Sequence, residues 1–139
     1  MKIPFTGGCL CGEVRYECSA APMLAANCHC RDCQQASGGP YAPAVLVPFN
    51  AFKITEGELT RFASPSIGGG ENVRGFCAKC GSRITGAERP DLGFIGVLAS
   101  SLDDPAAFKP VMDIFMSEAQ PWDATDPQLP KHPQYPLRQ

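Results

Sequence analysis

Residues 13–18 alternate without a break: Glu13, Arg15 and Glu17 fall on one face, Val14, Tyr16 and Cys18 on the other. A two-residue period is the mark of a strand with one buried face, because successive side chains point to opposite sides. Cys18 lies on the apolar face and reads as a small buried hydrophobe. Residues 41–47 are apolar and strand-like, with Pro43 predicting an edge or a bulge, since proline cannot donate to a ladder. Residues 52–55 and 59–63 flank Glu56-Gly57-Glu58 and predict a hairpin. Residues 64–71 predict a loop, residues 72–76 and 83–85 strands on either side of a Cys-x-x-Cys turn. The most apolar run, 93–99, predicts a central strand, and residues 111–116 a last one. Helix is expected only in short turns: Arg31–Ser37, stopped by Gly38-Gly39-Pro40, and a capped turn over 103–108 with Pro105 just inside its start.

Composition strengthens this picture. Fourteen glycines and fourteen prolines in 139 residues disfavour long helices and favour short strands in irregular loops. Five prolines in the sixteen residues from Pro121 predict a tail without regular structure, extended or wrapped on the surface. The hydrophobic share of 44% suffices for one folded domain over residues 1–139. A net charge of −2 with no run of Lys or Arg leaves no nucleic-acid footprint. No stretch approaches the ~20 apolar residues of a membrane span. The first eight residues lack the apolar core of a signal peptide, so the expected location is cytoplasmic, where thiols stay reduced. Nothing in the sequence fixes the oligomeric state.

The cysteines carry the chemistry. Seven of the eight fall in three clusters: Cys9 and Cys11; Cys28, Cys30 and Cys33; Cys77 and Cys80. Cysteines one or two residues apart are poorly placed to bond one another, which favours metal over disulfides. Cys9, Cys11, Cys77 and Cys80 complete a tetrahedral thiolate shell for a structural zinc stapling the start of the chain to its middle. A redox pair at Cys77/Cys80 is the alternative. The central trio, Cys28, Cys30 and Cys33, leaves a second zinc one open position, the arrangement of a catalytic site. A fourth ligand from His29, Cys18 or a distant carboxylate would close it into another structural site. His29 is awkward for this, flanked by two ligands. A thiol entering an open position would be held as thiolate, the chemistry needed to make or break a bond between a thiol and an aldehyde carbon. Arg31, and backbone amides over Ser37, Gly38 and Gly39, are candidates to seat an anionic ligand. Asp32 is a candidate proton shuttle.

With these motifs the chain resembles the glutathione-dependent formaldehyde-activating family, which includes the centromere protein V-like proteins. The resemblance rests on Gly8-Cys9-Leu10-Cys11-Gly12, on Cys28-His29-Cys30-x-x-Cys33, and on Gly38 with the proline-bounded strand to Pro48. It continues through Phe76-Cys77-x-x-Cys80-Gly81, Leu102-Asp103-Asp104-Pro105 and Pro121-Trp122. It implies a mainly β fold, antiparallel sheets of the β-tent type around a structural zinc. Cys9, Cys11, Cys77 and Cys80 carry over as its ligands, and Cys28, Cys30 and Cys33 as those of a second zinc, which its open position leads us to expect to be the more easily chelated. The implied activity is that of a carbon–sulfur lyase, interconverting glutathione plus formaldehyde with S-hydroxymethylglutathione. A non-catalytic zinc-stabilised protein-binding module and a thiol redox sensor are the competing classes. One departure stands out: many relatives carry histidine before the last strand, where this chain has Asp113 in Met112-Asp113-Ile114-Phe115. The basic extensions of some centromere-type members are absent, which argues against nucleic acid.

Overall fold

A computed structural model of the chain describes residues 1–136. In chain order the strands are β1 (Phe5–Gly8), β2 (Arg15–Cys18), β3 (Leu24–Cys28), β4 (Ala42–Pro48), β5 (Phe52–Glu56), β6 (Thr60–Pro65), β7 (Glu71–Phe76), β8 (Arg83–Arg89), β9 (Phe94–Leu98) and β10 (Met112–Ile114). One α-helix, α1 (Arg31–Ser37), lies among the described residues; the other helical pieces are single 3-10 turns. The fold is mainly β, with a small sheet ordered β1-β2-β5 and a large one ordered β10-β3-β4-β9-β8-β7-β6.

Hydrophobic patterning explains how the two sheets meet. Val14, just ahead of β2, and Tyr16 and Cys18 of β2 point into a core that Val45 and Val47 of β4, Ile84 of β8, and Ile95 and Val97 of β9 close from the large sheet; the strand expected over 13–18 begins only at Arg15. Each fully buried Val or Ile contributes roughly 1.5–3 kcal/mol. The Tyr16 hydroxyl donates to Ser101 Oγ at 2.7 Å, and Ser101 Oγ donates to Leu98 O at 2.8 Å, so the buried phenol leaves no polar atom orphaned. Gly7 has to be glycine here: a Cβ would collide with the Tyr16 hydroxyl and the Ser101 carbonyl. The strands β4 and β9 are apolar on both faces. Ala42, Ala44, Leu46 and Leu98 point away from the core and form the wall of a cavity on the far side of the large sheet.

Several expectations change. The sheets are not wholly antiparallel, because β10 runs parallel to β3. Pro43 sits on neither an edge nor a bulge: β4 is interior, between β3 and β9. Its β9 pairing begins only at Ala44, so on that side Pro43 has no strand beside it. The hairpin over 52–63 does not form. Instead β5 pairs with β2, held by the Tyr16–Phe52 ring contact at 5.1 Å, and the chain crosses to the large sheet, where β6 pairs with β7. The true hairpin is β6–β7, so both strands invade the loop expected at 64–71 and leave a turn over 66–70, closed by Ser66 N–H on Gly70 O at 3.0 Å. The strand expected at 83–85 extends to Arg89. The turn at Pro105–Ala107 has no side-chain cap: Asp104 at its N-cap makes no capping bond, and the neighbouring Asp103 carboxylate is engaged by Arg15 and Thr6.

Beyond residue 120 the described tail forms no strand of its own, yet it is bonded along β10. Asp113 N–H donates to Pro130 O at 2.9 Å, His132 N–H to Asp113 O at 3.0 Å and Met116 N–H to His132 O at 3.0 Å. The tail thereby satisfies backbone groups that an open sheet edge would expose. The Tyr135 ring meets Phe115 edge-on at 4.8 Å, at the rim of the cavity.

Candidate metal centres and the adjoining cavity

Two groups of sulfurs come together. Cys9, Cys11, Cys77 and Cys80 place their Sγ atoms within 4.8 Å of one another. The Cys9–Cys11 separation is 3.5 Å and the Cys11–Cys77 separation 3.8 Å. A metal–sulfur bond of about 2.3 Å in a tetrahedron gives sulfur–sulfur edges of about 3.8 Å, so the donor set fits zinc in spacing as well as chemistry. All eight cysteines are free, and Cys77 and Cys80 both belong to this four-sulfur group. Backbone geometry sets each knuckle. Val14 N–H donates to Cys9 Sγ at 3.2 Å, and Gly81 N–H closes the second turn on Cys77 O at 2.8 Å. Ser82 ties the knuckles together: its hydroxyl accepts from Leu10 N–H at 2.9 Å and donates to Cys80 Sγ at 3.2 Å. That hydroxyl, with the backbone N–H groups of Ser82 and Cys11, lowers the Cys80 thiol to about 5.

The second group is Cys28, Cys30 and Cys33, again within 4.8 Å. Cys28 ends β3, Cys30 caps the N-terminus of α1, and Cys33 lies in its first turn. Cys33 N–H donates to Cys30 Sγ at 3.3 Å. The Cys30 thiol is held far below its ordinary value by hydrogen bonding from the Cys28 and Cys33 sulfurs, and Cys28 is driven up by Cys30 and Cys33. Three sulfurs this close suit a divalent cation, which would hold all of them as thiolates.

His29, between two of these cysteines, does not join them. Its ring is fully buried, with Nδ1 2.5 Å from Asp123 Oδ2 and Nε2 3.0 Å from Asp113 Oδ1. Asp113 also accepts from Asn27 Nδ2 at 3.1 Å and from Lys131 Nζ at 3.0 Å. Burial pushes the Asp113 carboxyl up, but bonds from His29, Lys131 and Asn27 outweigh it and hold it below the usual carboxylate range. The backbone of the loop is fixed as firmly. His29 N–H donates to Ile114 O at 2.9 Å, and the buried Gln34 amide donates to His29 O at 2.8 Å and Glu118 O at 2.9 Å.

All three sulfurs line a cavity of about 430 Å³, within the range of small-molecule sites. Its walls are mostly apolar, among them Leu46, Ile67, Phe94, Leu98, Ile114 and Phe115. Asp32, Arg74, Arg89, Glu118 and Asn72 supply polarity, and Tyr135 reaches in from the tail. Phe115 holds a left-handed backbone at φ 58, a strain of order 1–3 kcal/mol in a non-glycine residue, and its ring forms part of the wall.

The residues expected to seat a ligand lie elsewhere. Arg31 is exposed and donates to Gln34 Oε1 at 3.2 Å. Gly38 N–H is spent on Gln34 O, and Gly39 N–H on Ser37 Oγ. Neither Arg31 nor Ser37, Gly38 or Gly39 lines the large cavity; Asp32 does. Asp113 also lies outside the lining. Sequence reasoning missed Arg74, Arg89, Tyr135 and Asp123. For Arg74 one signal existed: alternation along 72–76 puts it on one face with Asn72 and Phe76, a charge inside a strand.

A crystal structure of a Rhodobacter sphaeroides protein is similar in fold, with a TM-score of 0.57 and 22% sequence identity over 70% of this chain and 87% of that one. At that identity the likeness speaks to fold alone. The family model described as glutathione-dependent formaldehyde-activating enzyme matches residues 4–118, a segment that contains both sulfur groups. By this match the chain belongs to the glutathione-dependent formaldehyde-activating enzyme family.

Proposed function

We propose that the protein is a carbon–sulfur lyase acting on the adduct of a small thiol and an aldehyde, resembling the enzymes that interconvert glutathione plus formaldehyde with S-hydroxymethylglutathione. The supporting observation is that Cys28, Cys30 and Cys33 form one wall of the 430 Å³ cavity, where the other four clustered cysteines do not reach. In this reading Cys9, Cys11, Cys77 and Cys80 hold a structural zinc, and Cys28, Cys30 and Cys33 hold a second, more labile one. Zinc at the trio supplies a Lewis acid that favours the thiolate form of an incoming thiol.

The chain's own groups do the rest. In the forward direction the thiol loses its proton, its sulfur bonds to the aldehyde carbon, and the carbonyl oxygen gains a proton; the reverse step breaks the same carbon–sulfur bond. The Asp32 carboxylate, on the cavity lining next to Cys33, takes the thiol proton and returns one to the oxygen. Apolar walls exclude water and hold the adduct against the trio. The His29 network keeps the three sulfurs in one arrangement as ligand enters and leaves. Seating of the ligand passes from Arg31 and Ser37–Gly39 to groups that face the cavity.

Exchange between glutathione and formaldehyde, followed at equilibrium by NMR line exchange, tests this. Zinc-loaded wild type should exceed both buffer and Cys30→Ser in exchange rate. Equal rates in all three would overturn the formaldehyde assignment and favour a non-catalytic zinc-stabilised binding module.

A further inference from the structure

Arg74 is the unusual group in the cavity. It projects from β7, is only 7% exposed, and among the described residues makes one side-chain hydrogen bond, from Nη1 to Ser64 Oγ at 3.1 Å. No carboxylate among the described residues pairs with it, and it makes no hydrogen bond to the sulfurs of Cys28, Cys30 or Cys33. The other buried arginine on the lining, Arg89, is fully engaged: Asp91 accepts from Nε at 3.0 Å and from Nη2 at 2.8 Å, and Gly69 O accepts from Nη2 at 3.1 Å. Arg74 acts on the Cys30 and Cys33 thiols through charge alone, so the N–H groups of this buried guanidinium are left free to bond a negative group in the cavity. Its planar fork matches a carboxylate.

Glutathione is the weaker match to such a lining. Its ammonium has Asp32 or Glu118 to meet, but of its two carboxylates only one finds a free cation, because Arg89 is already held by Asp91.

We infer that the ligand of this cavity is an apolar thiol acid with a single carboxylate, its carboxylate on Arg74 and its sulfur at the Cys28–Cys30–Cys33 end. This rests on the thiol reading of the trio proposed above and narrows its substrate class. Calorimetric titration of zinc-loaded protein with mercaptohexanoate, its carboxamide, sulfur-free heptanoate and glutathione tests it, with zinc content measured for every variant. The acid should bind at least about tenfold tighter than the carboxamide and tighter than glutathione. Arg74→Gln should bring acid and amide within about twofold, and Arg74→Lys should keep part of the preference, zinc content unchanged. Equal binding of acid and amide by wild type, a preference that survives Arg74→Gln, tighter binding of glutathione, or no binding in the series would each overturn the inference. If heptanoate matches mercaptohexanoate and both depend on Arg74, the carboxylate seat stands and the thiol chemistry fails. The wild-type comparisons decide the matter even if Arg74→Gln does not fold.

Discussion

His29 Nδ1 and Asp123 Oδ2 lie 2.5 Å apart, joining the middle of the three-cysteine loop to the tail. The opposite ring nitrogen faces Asp113, which Lys131 of the tail also holds. The ring bridges two carboxylates, and Asp123 Oδ1 is buried without another partner, so the three groups act as a unit. Removing one member leaves the others buried and unbalanced. Asp123→Ala should cost about 3 kcal/mol, and Asp123→Asn, which keeps an acceptor, about half of that. Urea denaturation checks the stability. Release of the trio's metal to a chelator should quicken in both variants, while release from the four-cysteine group stays unchanged. Unaltered release would mean that the tail stabilises the fold without steadying the site.

The two sulfur groups should respond differently to single substitutions. Cys80→Ser opens the link between residues 9–11 and 77–80, which the remaining core contacts replace only in part. A structural zinc supplies on the order of 10 kcal/mol or more, comparable with a domain's net stability. The variant should lose one metal ion and on the order of 5 kcal/mol, or fail to fold. Cys30→Ser should also lose one metal ion but keep its melting transition within about 2 kcal/mol, because the trio borders a cavity rather than the main core. Metal analysis paired with thermal melts separates the two, and equal destabilisation would argue that both groups are structural.

Much of this was legible in residue order. The knuckles, the helix Arg31–Ser37 and the strand carrying Tyr16 and Cys18 follow from local spacing, which short-range geometry fixes. Strand pairing does not. β5 and β6 adjoin in sequence yet join different sheets, because Phe52 packs on Tyr16 while β6 finds β7. Local spacing could not place Arg74 and Asp123 in the site for the same reason: what each faces is brought in from distant chain, residues 28–33 for one and His29 for the other. The apolar runs of β4 and β9 did carry a sign of the cavity, since a strand apolar on both faces needs something to cover the second one.

Asp103 ties the loop after β9 to the small sheet. Arg15 donates to it from both terminal nitrogens, one at 2.9 Å, and Thr6 Oγ1 donates at 2.6 Å. Arg15 first and Thr6 second hold its carboxyl down at about 2. A depressed acid contributes stability above its unfolded value near 3.8 and loses it as pH falls toward about 2. With the carboxylate 46% exposed, solvent screening limits that contribution to about 1 kcal/mol or less. Asp103→Asn should therefore cost about 1 kcal/mol at neutral pH. The difference from wild type should shrink with added salt and as pH drops below about 4. Urea midpoints at low and high salt check this, and a salt-independent loss would assign the effect to Thr6 packing instead.

Ala44 offers a test of the cavity that replaces none of the clustered cysteines. It lies on interior strand β4, paired with Ala26 and Leu98, and its side chain faces the open volume. Ala44→Leu adds three carbons where the protein has room, so overpacking strain should be small and stability should stay within about 1 kcal/mol of wild type. The same atoms would occupy ligand space. Binding of a thiol acid should weaken at least about fivefold while zinc content holds at the wild-type value, because shape complementarity is lost and the metal ligands are not. Calorimetric titration beside metal analysis reads both. Undiminished binding would show that the ligand reaches the trio from outside this cavity, and the apolar walls would then have no part in choosing the substrate.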